Sequence, residues 1–197
     1  SMKLLILGGT RFLGRHLVDA ALARGDEVTT FTRGRAPDLW GGRVQGLEGN
    51  RDPRTAPGLA ALRTGEWDAV VDTSGYVPRV VRASAELLDR RVGRYLFVSS
   101  ISVFTDASRA GLTERDPVGA LTDPHTEEVG KFYGPLKAAC EHVVTEVFGP
   151  RAINVRPGLI VGPHDPTDRF GYWVARFALP GLLGLRAPEA VVPNPPV

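Results

Sequence analysis

Short apolar runs alternate with helical patterns along the first 155 residues of the chain. Residues 4–7 are entirely apolar, which is typical of a strand buried on both faces. A helical stripe over 12–22 follows and ends before Gly25, a residue type that often stops helices. The further predicted strands are 28–32, 44–47, 68–72, 95–98 and 152–155. The further predicted helices are 56–63, 78–89 and 131–148.

This alternation predicts an α/β fold. Strands that alternate with helices form a parallel sheet with helices on both faces. Because crossovers are right-handed, the pattern favours a doubly wound parallel sheet, the Rossmann fold. Residues 105–130 are polar and are expected to form a surface loop. Residues 188–197 contain four prolines without periodicity and are expected to be extended.

The composition is that of an ordinary globular protein, with 43% hydrophobic and 23% charged residues. No apolar run approaches the roughly 18 residues that a membrane-spanning helix needs, so we expect no membrane span. Cys140 is the only cysteine, which excludes an intramolecular disulfide and favours a reducing, cytoplasmic location. The four histidines have no metal-ligand spacing, so no metal site is predicted.

The charge pattern argues against nucleic acid as the main partner. The net charge is only +2, and no basic run is longer than the pair Arg90 and Arg91. All but three of the 24 basic residues are arginines, and they are concentrated in the first half. Two interpretations stay open: exposed faces of an arginine-rich chain, or the binding of an anionic small molecule.

A glycine-rich loop joins the first predicted strand to the first predicted helix. Its residues are Gly8, Gly9, Thr10, Arg11, Phe12, Leu13 and Gly14. In dinucleotide-binding folds, backbone N–H groups and a helix N-terminus bind the pyrophosphate at this place. Gly8 then permits the sharp turn and Gly14 the close packing of helix on strand. A plain turn is the alternative, and the strand–loop–helix context favours cofactor binding.

The end of the second predicted strand discriminates between the two nicotinamide cofactors. NAD enzymes usually carry an acidic residue there, which accepts a hydrogen bond from the ribose 2′-hydroxyl. This chain has Thr32 instead, followed by Arg33 and Arg35, with Arg11 in the glycine loop. Arginines bind a 2′-phosphate well, so the pattern favours NADP over NAD without excluding NAD. The alternative is that these arginines are simply exposed.

Tyr133 and Lys137 are four residues apart near a predicted helix start, which places both side chains on one face. A lysine ammonium beside a phenol stabilises the phenolate, so such a tyrosine can exchange a proton with a substrate hydroxyl or carbonyl near neutral pH. The spacing alone is common. Its position, after a predicted strand that ends in Ser99 and Ser100, makes it informative because those hydroxyls can bond the same substrate oxygen.

In combination, these motifs resemble the extended short-chain dehydrogenases/reductases, the NAD-dependent epimerase/dehydratase group. The motifs lie at 8–14, 98–104, 133–137 and 156–163, and the resemblance covers about residues 3–175. It implies a Ser–Tyr–Lys triad in which Ser100 supplies the catalytic hydroxyl. Tyr133 becomes the general acid/base, and Lys137 supports Tyr133 and binds the nicotinamide ribose.

The resemblance also implies further cofactor contacts by position. Thr73, Ser74 and Gly75 follow the fourth predicted strand, where the family lines the phosphate and nicotinamide side of its cofactor. Asn50, next to Arg51, stands where the family usually has an aspartate that contacts adenine. Pro157 lies on the loop that flanks the nicotinamide. A turn is the alternative role for Pro157.

Three departures from the family pattern bear on function. Arg11 replaces the middle glycine, the acid of the second strand is missing, and the chain stops where the family adds a substrate-binding part of about a hundred residues. We therefore expect a Rossmann domain at 1–175. Residues 176–197 would be a remnant of the C-terminal substrate part or an extended tail.

Two functions are carried forward. The first is an NAD(P)-dependent oxidoreductase, or an epimerase/dehydratase-like enzyme, that acts on a hydroxyl or carbonyl group of a small molecule such as a nucleotide sugar. The second is a non-catalytic dinucleotide-binding module that senses the cofactor or binds RNA. The triad favours the enzyme, whereas the short C-terminus favours the module. Long helices of this fold often pair, which leaves a homodimer open.

Overall fold

A six-stranded, wholly parallel sheet organises the computed structural model, which describes residues 1–182. The strands are β1 (Lys3–Leu7), β2 (Glu27–Thr32), β3 (Val44–Glu48), β4 (Trp67–Asp72), β5 (Val92–Val98) and β6 (Ala152–Val155). The helices are α1 (Phe12–Ala23), α2 (Pro78–Leu88), α3 (Val129–Phe148) and α4 (Arg169–Leu182). The chain divides into two compact units, Ser1–Gly158 and one that begins at Leu159.

The strand order is β3-β2-β1-β4-β5-β6, which confirms the predicted doubly wound sheet. β1 lies between β2 and β4, and Leu7 is paired with Phe31 on one side and with Asp72 on the other. The chain therefore reverses its direction of winding between β1 and β4. The crevice at the carboxyl ends of these two strands is where open α/β sheets bind their ligands.

Alternate residues of β1 belong to two separate apolar cores, because successive side chains of a strand point to opposite faces of the sheet. Leu5 and Leu7 belong to the larger core, which includes residues of α2 and α3. Leu4 and Ile6 belong to the smaller core, with residues of α1. Burial on both faces explains why this strand is apolar throughout.

The structure corrects the predicted helix at 56–63. Only Ala60–Arg63 forms a helical turn, of the 3₁₀ type. Gly58 has a φ of 60° in a preceding turn, a conformation that no right-handed helix contains. The polar residues 105–130 form a loop as predicted up to the start of α3, with one isolated bridge between Phe104 and Val118.

α4 was not predicted, and it crosses the expected domain boundary at 175. That boundary stays a prediction, while the compact units separate earlier, after Gly158. Most of the expected tail, including its proline-rich end, lies outside the described residues. Within residues 1–182, no helix is long and apolar enough to cross a membrane.

Gly14 gives a test of the packing between α1 and the preceding loop. A Cβ atom at this position would lie 2.6 Å from the backbone nitrogen of Gly9. We therefore expect Gly14→Ala to lower the free energy of unfolding by about 1–3 kcal/mol, measured by urea denaturation. Gly46→Ala in β3 is the matched control, since its Cβ meets nothing within 4 Å. Equal stability of both variants would contradict the close approach.

Candidate active site at the carboxyl edge of the sheet

The sequence-predicted site residues follow the carboxyl ends of all six strands, so the parallel sheet brings them to one edge. Gly8 follows β1, Thr32 ends β2 and Asn50 follows β3. Thr73 follows β4, Ser99 and Ser100 follow β5, and Pro157 follows β6, whereas Tyr133 and Lys137 lie on α3. The edge includes the crevice between β1 and β4, where the winding of the sheet reverses.

The glycine loop presents bare backbone at the end of β1. Gly8 and Gly9 have φ angles of 109° and 105°, a region that favours glycine. A Cβ atom on Gly8 would lie 2.3 Å from the hydroxyl oxygen of Thr73, and one on Gly9 would lie 2.7 Å from a methyl carbon of Thr30. Together with the close approach of Gly14 to Gly9, these distances leave no room for a side chain at the three glycines of the loop.

The start of α1 suits an anionic ligand. Arg11, which precedes the helix, is exposed and extended and makes no side-chain cap, and the first turn holds no acidic residue. Phe12 begins the helix with a φ of 35°, an unusual conformation for a residue with a side chain. Uncapped N–H groups at a helix N-terminus bind phosphates. The bare loop and this helix start therefore fit the pyrophosphate of a dinucleotide.

At the end of β2, the hydroxyl oxygen of Thr32 accepts a hydrogen bond from the backbone N–H of Gly34 at 3.2 Å. Arg33 and Arg35 flank this turn and are exposed. The sequence analysis missed a third charged residue here, Glu48, the last residue of β3. Its carboxylate carbon would lie 2.5 Å from a Cβ atom on Gly34, so the carboxylate group lies directly against this turn.

Asn50 and Arg51 are adjacent in sequence but have different environments. The side-chain oxygen of Asn50 accepts a hydrogen bond from the backbone N–H of Asp52 at 2.9 Å, which stabilises the turn after β3. Arg51 turns inward, and its guanidinium donates to both carboxylate oxygens of Asp72, at 2.7 and 2.9 Å. A direct cofactor contact by Arg51 stays a prediction, and the guanidinium is engaged in the interior.

The Arg51–Asp72 ion pair is the centre of a buried polar network. Asp72 is fully buried, and its carboxylate also accepts hydrogen bonds from the hydroxyl of Tyr95 at 2.7 Å and from the backbone N–H of Ser74 at 3.0 Å. Arg51 donates further to the hydroxyls of Ser74 and Ser84. Burial alone would raise the pKa of Asp72, but the Arg51 charge and these hydrogen bonds outweigh it and lower the pKa.

The turn after β4 is fixed against the glycine loop. The hydroxyls of Thr73 and Ser74 both donate to the backbone carbonyl of Leu7, at 2.9 and 3.1 Å. Gly75 is enclosed, because a Cβ atom there would lie 2.6 Å from the ring of Phe97. These contacts join the ends of β1 and β4 and so define the floor of the crevice between them.

A break in α3 positions the predicted acid/base. Phe132 has non-helical dihedral angles, so the regular helix starts at Tyr133 and Pro135 falls in its first turn, where a missing N–H is tolerated. A Cβ atom on Gly134 would lie 2.0 Å from the carbonyl oxygen of Ser102. The helix therefore packs closely on the turn that begins with Ser100.

Ser100 holds that turn through its hydroxyl. Its oxygen accepts from the backbone N–H of Ser102 at 3.1 Å and donates to the Ser102 hydroxyl at 3.1 Å. The neighbouring Ser99 is buried, and its hydroxyl has no partner among the described residues. Pro157 accepts a hydrogen bond from the backbone N–H of Ile101 at 3.0 Å, which joins the loop after β6 to the same turn.

Lys137 lies one helical turn after Tyr133 and is buried, with 3% of its surface exposed. Its ammonium group donates to the backbone carbonyls of Gly75 and Val98, both at 2.7 Å, and lies 4.1 Å from the centre of the Phe97 ring. Burial lowers the pKa of Lys137 to about 8. The ammonium thus joins the turn after β4 to the end of β5.

Tyr76 is a second tyrosine at this site, and the sequence analysis did not single it out. Its ring lies 5.1 Å from the Lys137 ammonium and 6.4 Å from the ring of Tyr133, centre to centre. Both tyrosines are partly exposed, at 44% for Tyr76 and 37% for Tyr133. The Tyr76 ring therefore lies between the buried ammonium and the Tyr133 ring as a neighbour of both, and no spacing in the sequence indicates Tyr76.

Comparisons with known proteins identify the family of the chain. A model of the NAD dependent epimerase/dehydratase family matches residues 4–185, and the chain belongs to this family. It is 26% identical over 183 residues to the chloroplast stem-loop binding protein of 41 kDa b from Arabidopsis thaliana. It is 28% identical over 179 residues to 2-alkyl-3-oxoalkanoate reductase from Stenotrophomonas maltophilia. These matches cover 85% and 83% of the chain but only 45% and 52% of the relatives.

Solved structures share the fold. A UDP-galactose 4-epimerase superposes with a TM-score of 0.67 at 20% identity, over 89% of this chain and 63% of that chain. A variant of UDP-glucuronic acid 4-epimerase from Bacillus cereus, bound to a fluorinated UDP-glucuronic acid and NAD, gives 0.64 at 16% identity, over 91% and 64%. The chain spans about half the length of the curated relatives and under two thirds of these structures.

The buried ion pair predicts a pH-dependent stability. Because the pKa of Asp72 is lowered on folding, its charge stabilises the native state above about pH 4, and this contribution is lost as the pH falls below that value. We expect Asp72→Asn to lower the unfolding free energy at pH 7 by about 3–5 kcal/mol, since the Arg51 charge loses its buried partner. Urea denaturation at pH 7 and pH 3.5 measures both effects.

The comparison across pH contains its own control. The parent should lose more stability than Asp72→Asn between pH 7 and pH 3.5, because only the parent has the Asp72 carboxylate to protonate. An equal loss in both proteins would show that Asp72 does not carry the predicted charge.

Proposed function

We propose that this chain is the cofactor-binding and catalytic part of an NAD(P)-dependent enzyme that acts on a hydroxyl or carbonyl group. Reductase, epimerase and dehydratase reactions share this chemistry. Family membership supports the proposal, as do the bare glycine loop at the start of α1 and the Ser100, Tyr133 and Lys137 positions at one sheet edge. The fold alone would not support it, because Rossmann folds have many functions.

The observation that carries the proposal is the buried ammonium of Lys137, one helical turn after the exposed Tyr133. A lysine of ordinary structural role keeps its charged end in water. Lys137 instead has its ammonium fixed by two backbone carbonyls, at the floor of the crevice and one helical turn from Tyr133. This arrangement costs desolvation energy, which the lowered pKa of Lys137 reflects. Such costs are typical of functional sites.

The proposed roles follow from the chemistry of each group. A nicotinamide ring, when bound, supplies or accepts the hydride. Tyr133 transfers the proton to or from the substrate oxygen, and Ser100 donates a hydrogen bond to the same oxygen. Lys137 stabilises the phenolate form of Tyr133 by its positive charge. Two of the three ammonium donors are engaged with carbonyls, so one is left for a ribose hydroxyl.

The substrate class rests on the relatives. The structures named above are epimerases of nucleotide sugars, and one contains a nucleotide sugar with NAD. A nucleotide sugar or another small carbonyl compound is therefore the proposed substrate class. The chain covers only about half the length of its curated relatives. The proposal therefore concerns the chemistry that this part would perform in such an enzyme. A cytoplasmic location and a homodimer stay predictions.

A non-catalytic module is the second candidate. The specific observation in its favour is the similarity to a protein named for binding a chloroplast stem-loop. In that function the dinucleotide site would serve sensing or stability, and Tyr133 would have no chemical role. The two candidates differ in one measurable property, which is turnover of the nicotinamide.

Replacement of Tyr133 tests the enzyme. We expect the chain to change the absorbance of the reduced nicotinamide with at least one member of a panel of nucleotide sugars and small carbonyl compounds. Tyr133→Phe should lower that rate by about 10²–10⁴-fold, because the proton donor is lost. Cofactor affinity, measured by isothermal titration, should change little.

Tyr76→Phe is the matched control, since it also removes a phenol hydroxyl beside Lys137 but keeps the ring against the ammonium. Its rate should remain within a few-fold of the parent. A loss of rate in Tyr76→Phe, with no loss in Tyr133→Phe, would show that Tyr76 and not Tyr133 is the acid/base. Tight cofactor binding without turnover on the whole panel would favour the module.

The proposed cofactor preference is for NADP(H) over NAD(H). It rests on Thr32 in place of an acid and on the exposed arginines Arg11, Arg33 and Arg35 around the end of β2. Arg33→Ala should weaken NADP(H) binding about tenfold or more through the loss of one charged hydrogen-bond pair, and should leave NAD(H) binding nearly unchanged. Isothermal titration measures both affinities.

Arg94→Ala provides the control for a lost positive charge. Arg94 is exposed and lies in the first half of β5, away from the carboxyl edge. The Arg94→Ala variant should bind NADP(H) and NAD(H) with the same affinities as the parent. Equal NADP(H) affinities of Arg33→Ala and the parent would remove the proposed phosphate contact by Arg33.

A further inference from the structure

A carboxylate reaches the end of β2 from the neighbouring strand. In the parallel pairing of β2 with β3, Thr32 lies opposite Glu48, and each is the last residue of its strand. Glu48 therefore lies beside the position where Thr32 replaces an acid. The register alone sets this proximity, independently of any side-chain conformation.

The side chain of Glu48 extends along the turn that follows β2. Its carboxylate oxygens would lie 2.6 and 2.7 Å from a Cβ atom on Gly34, which has a φ of 65°. The turn thus accommodates the carboxylate because residue 34 has no side chain. The backbone N–H of Gly34 donates a hydrogen bond to the hydroxyl oxygen of Thr32.

Glu48 and three arginines that follow β1 and β2 in sequence form no ion pair among the described residues. Glu48, Arg11, Arg33 and Arg35 are all exposed. In the part of the chain that the structure describes, none of the four takes part in an ion pair. Their charges are therefore available to a ligand at the end of β2.

We propose that Glu48 is a specificity-determining residue that selects against the 2′-phosphate of NADP(H) and binds the adenosine ribose of NAD(H). The proposal rests on the proposed function, in which a dinucleotide occupies the carboxyl edge. The carboxylate supplies from β3 the acceptor that β2 lacks at Thr32. Glu48 then limits the proposed preference for NADP(H), because the arginines favour the 2′-phosphate while Glu48 opposes it.

The physical basis is the different charge of the two ligands at one place. A ribose 2′-hydroxyl donates a hydrogen bond to a carboxylate, and a bond to a charged acceptor is stronger than one between neutral groups. A phosphate monoester carries about −1.5 to −2 charges near neutral pH and is repelled by the same carboxylate. Removal of the Glu48 charge should therefore change the two affinities in opposite directions.

The test is Glu48→Gln in the full chain, with isothermal titration of NAD(H) and NADP(H) at low and high salt. Glu48 is exposed and glutamine has a similar shape, so we expect Glu48→Gln to fold like the parent. A change in cofactor affinity would then come from the lost charge and not from unfolding. We expect NADP(H) to bind about three- to tenfold more tightly and NAD(H) about two- to tenfold more weakly. The gain for NADP(H) should shrink at high salt, because salt screens exposed charges.

Glu66→Gln is the matched control. It removes the same charge from an exposed glutamate that precedes β4, at the opposite edge of the sheet. It should leave the ratio of the two affinities unchanged. Equal ratios in Glu48→Gln and the parent, or equal shifts in the two glutamate variants, would overturn the proposal for Glu48 while the proposed function stands. A parent chain that binds neither dinucleotide would overturn both.

Discussion

The buried ion pair between Arg51 and Asp72 joins more parts of the fold than any other polar contact at the carboxyl edge. Arg51 comes from the turn after β3, and Asp72 is the last residue of β4. The pair is completed by Tyr95 of β5 and Ser84 of α2. Four segments that are distant in sequence are thereby held in one place. Removal of either charge would leave the other buried without its partner, which is costly.

This network lies in the same region as the buried Lys137, and the two sets of charges depend on one another. The negative charge of Asp72 acts to raise the pKa of Lys137, against the larger effect of burial, while the positive charge of Arg51 acts to lower it. Arg51 and Asp72 together are neutral, so they can stabilise the fold without imposing a strong net field on the lysine. Burial stays the largest effect and lowers the pKa of Lys137 to about 8.

The strands and long helices were predictable because apolar runs and helical stripes report which faces are buried, and the observed ends mostly lie within about three residues of the predicted ones. The close approaches at Gly8 and Gly14, and the placement of Tyr133 and Lys137 one turn apart on α3, were predictable because each depends on a residue type at a fixed spacing, whereas their functional roles stay predictions. The inward turn of Arg51 was not, since its partner Asp72 is 21 residues away and no local pattern links them. Glu48 was missed for the same reason: its proximity to Gly34 exists only across the pairing of β2 with β3.

Gly75 shows how stability and chemistry share the same backbone. A Cβ atom there would lie 2.9 Å from a carboxylate oxygen of Asp72, and the carbonyl oxygen of Gly75 accepts the hydrogen bond from Lys137. The turn after β4 therefore contacts the structural ion pair on one side and the proposed catalytic lysine on the other. Because this turn also bonds to Leu7 at the start of the glycine loop, a shift of the buried network would displace both the lysine and the loop. The position of this turn is thus a condition for the proposed site. The desolvation cost of burying the two charges is offset by their mutual attraction and by the hydrogen bonds around them.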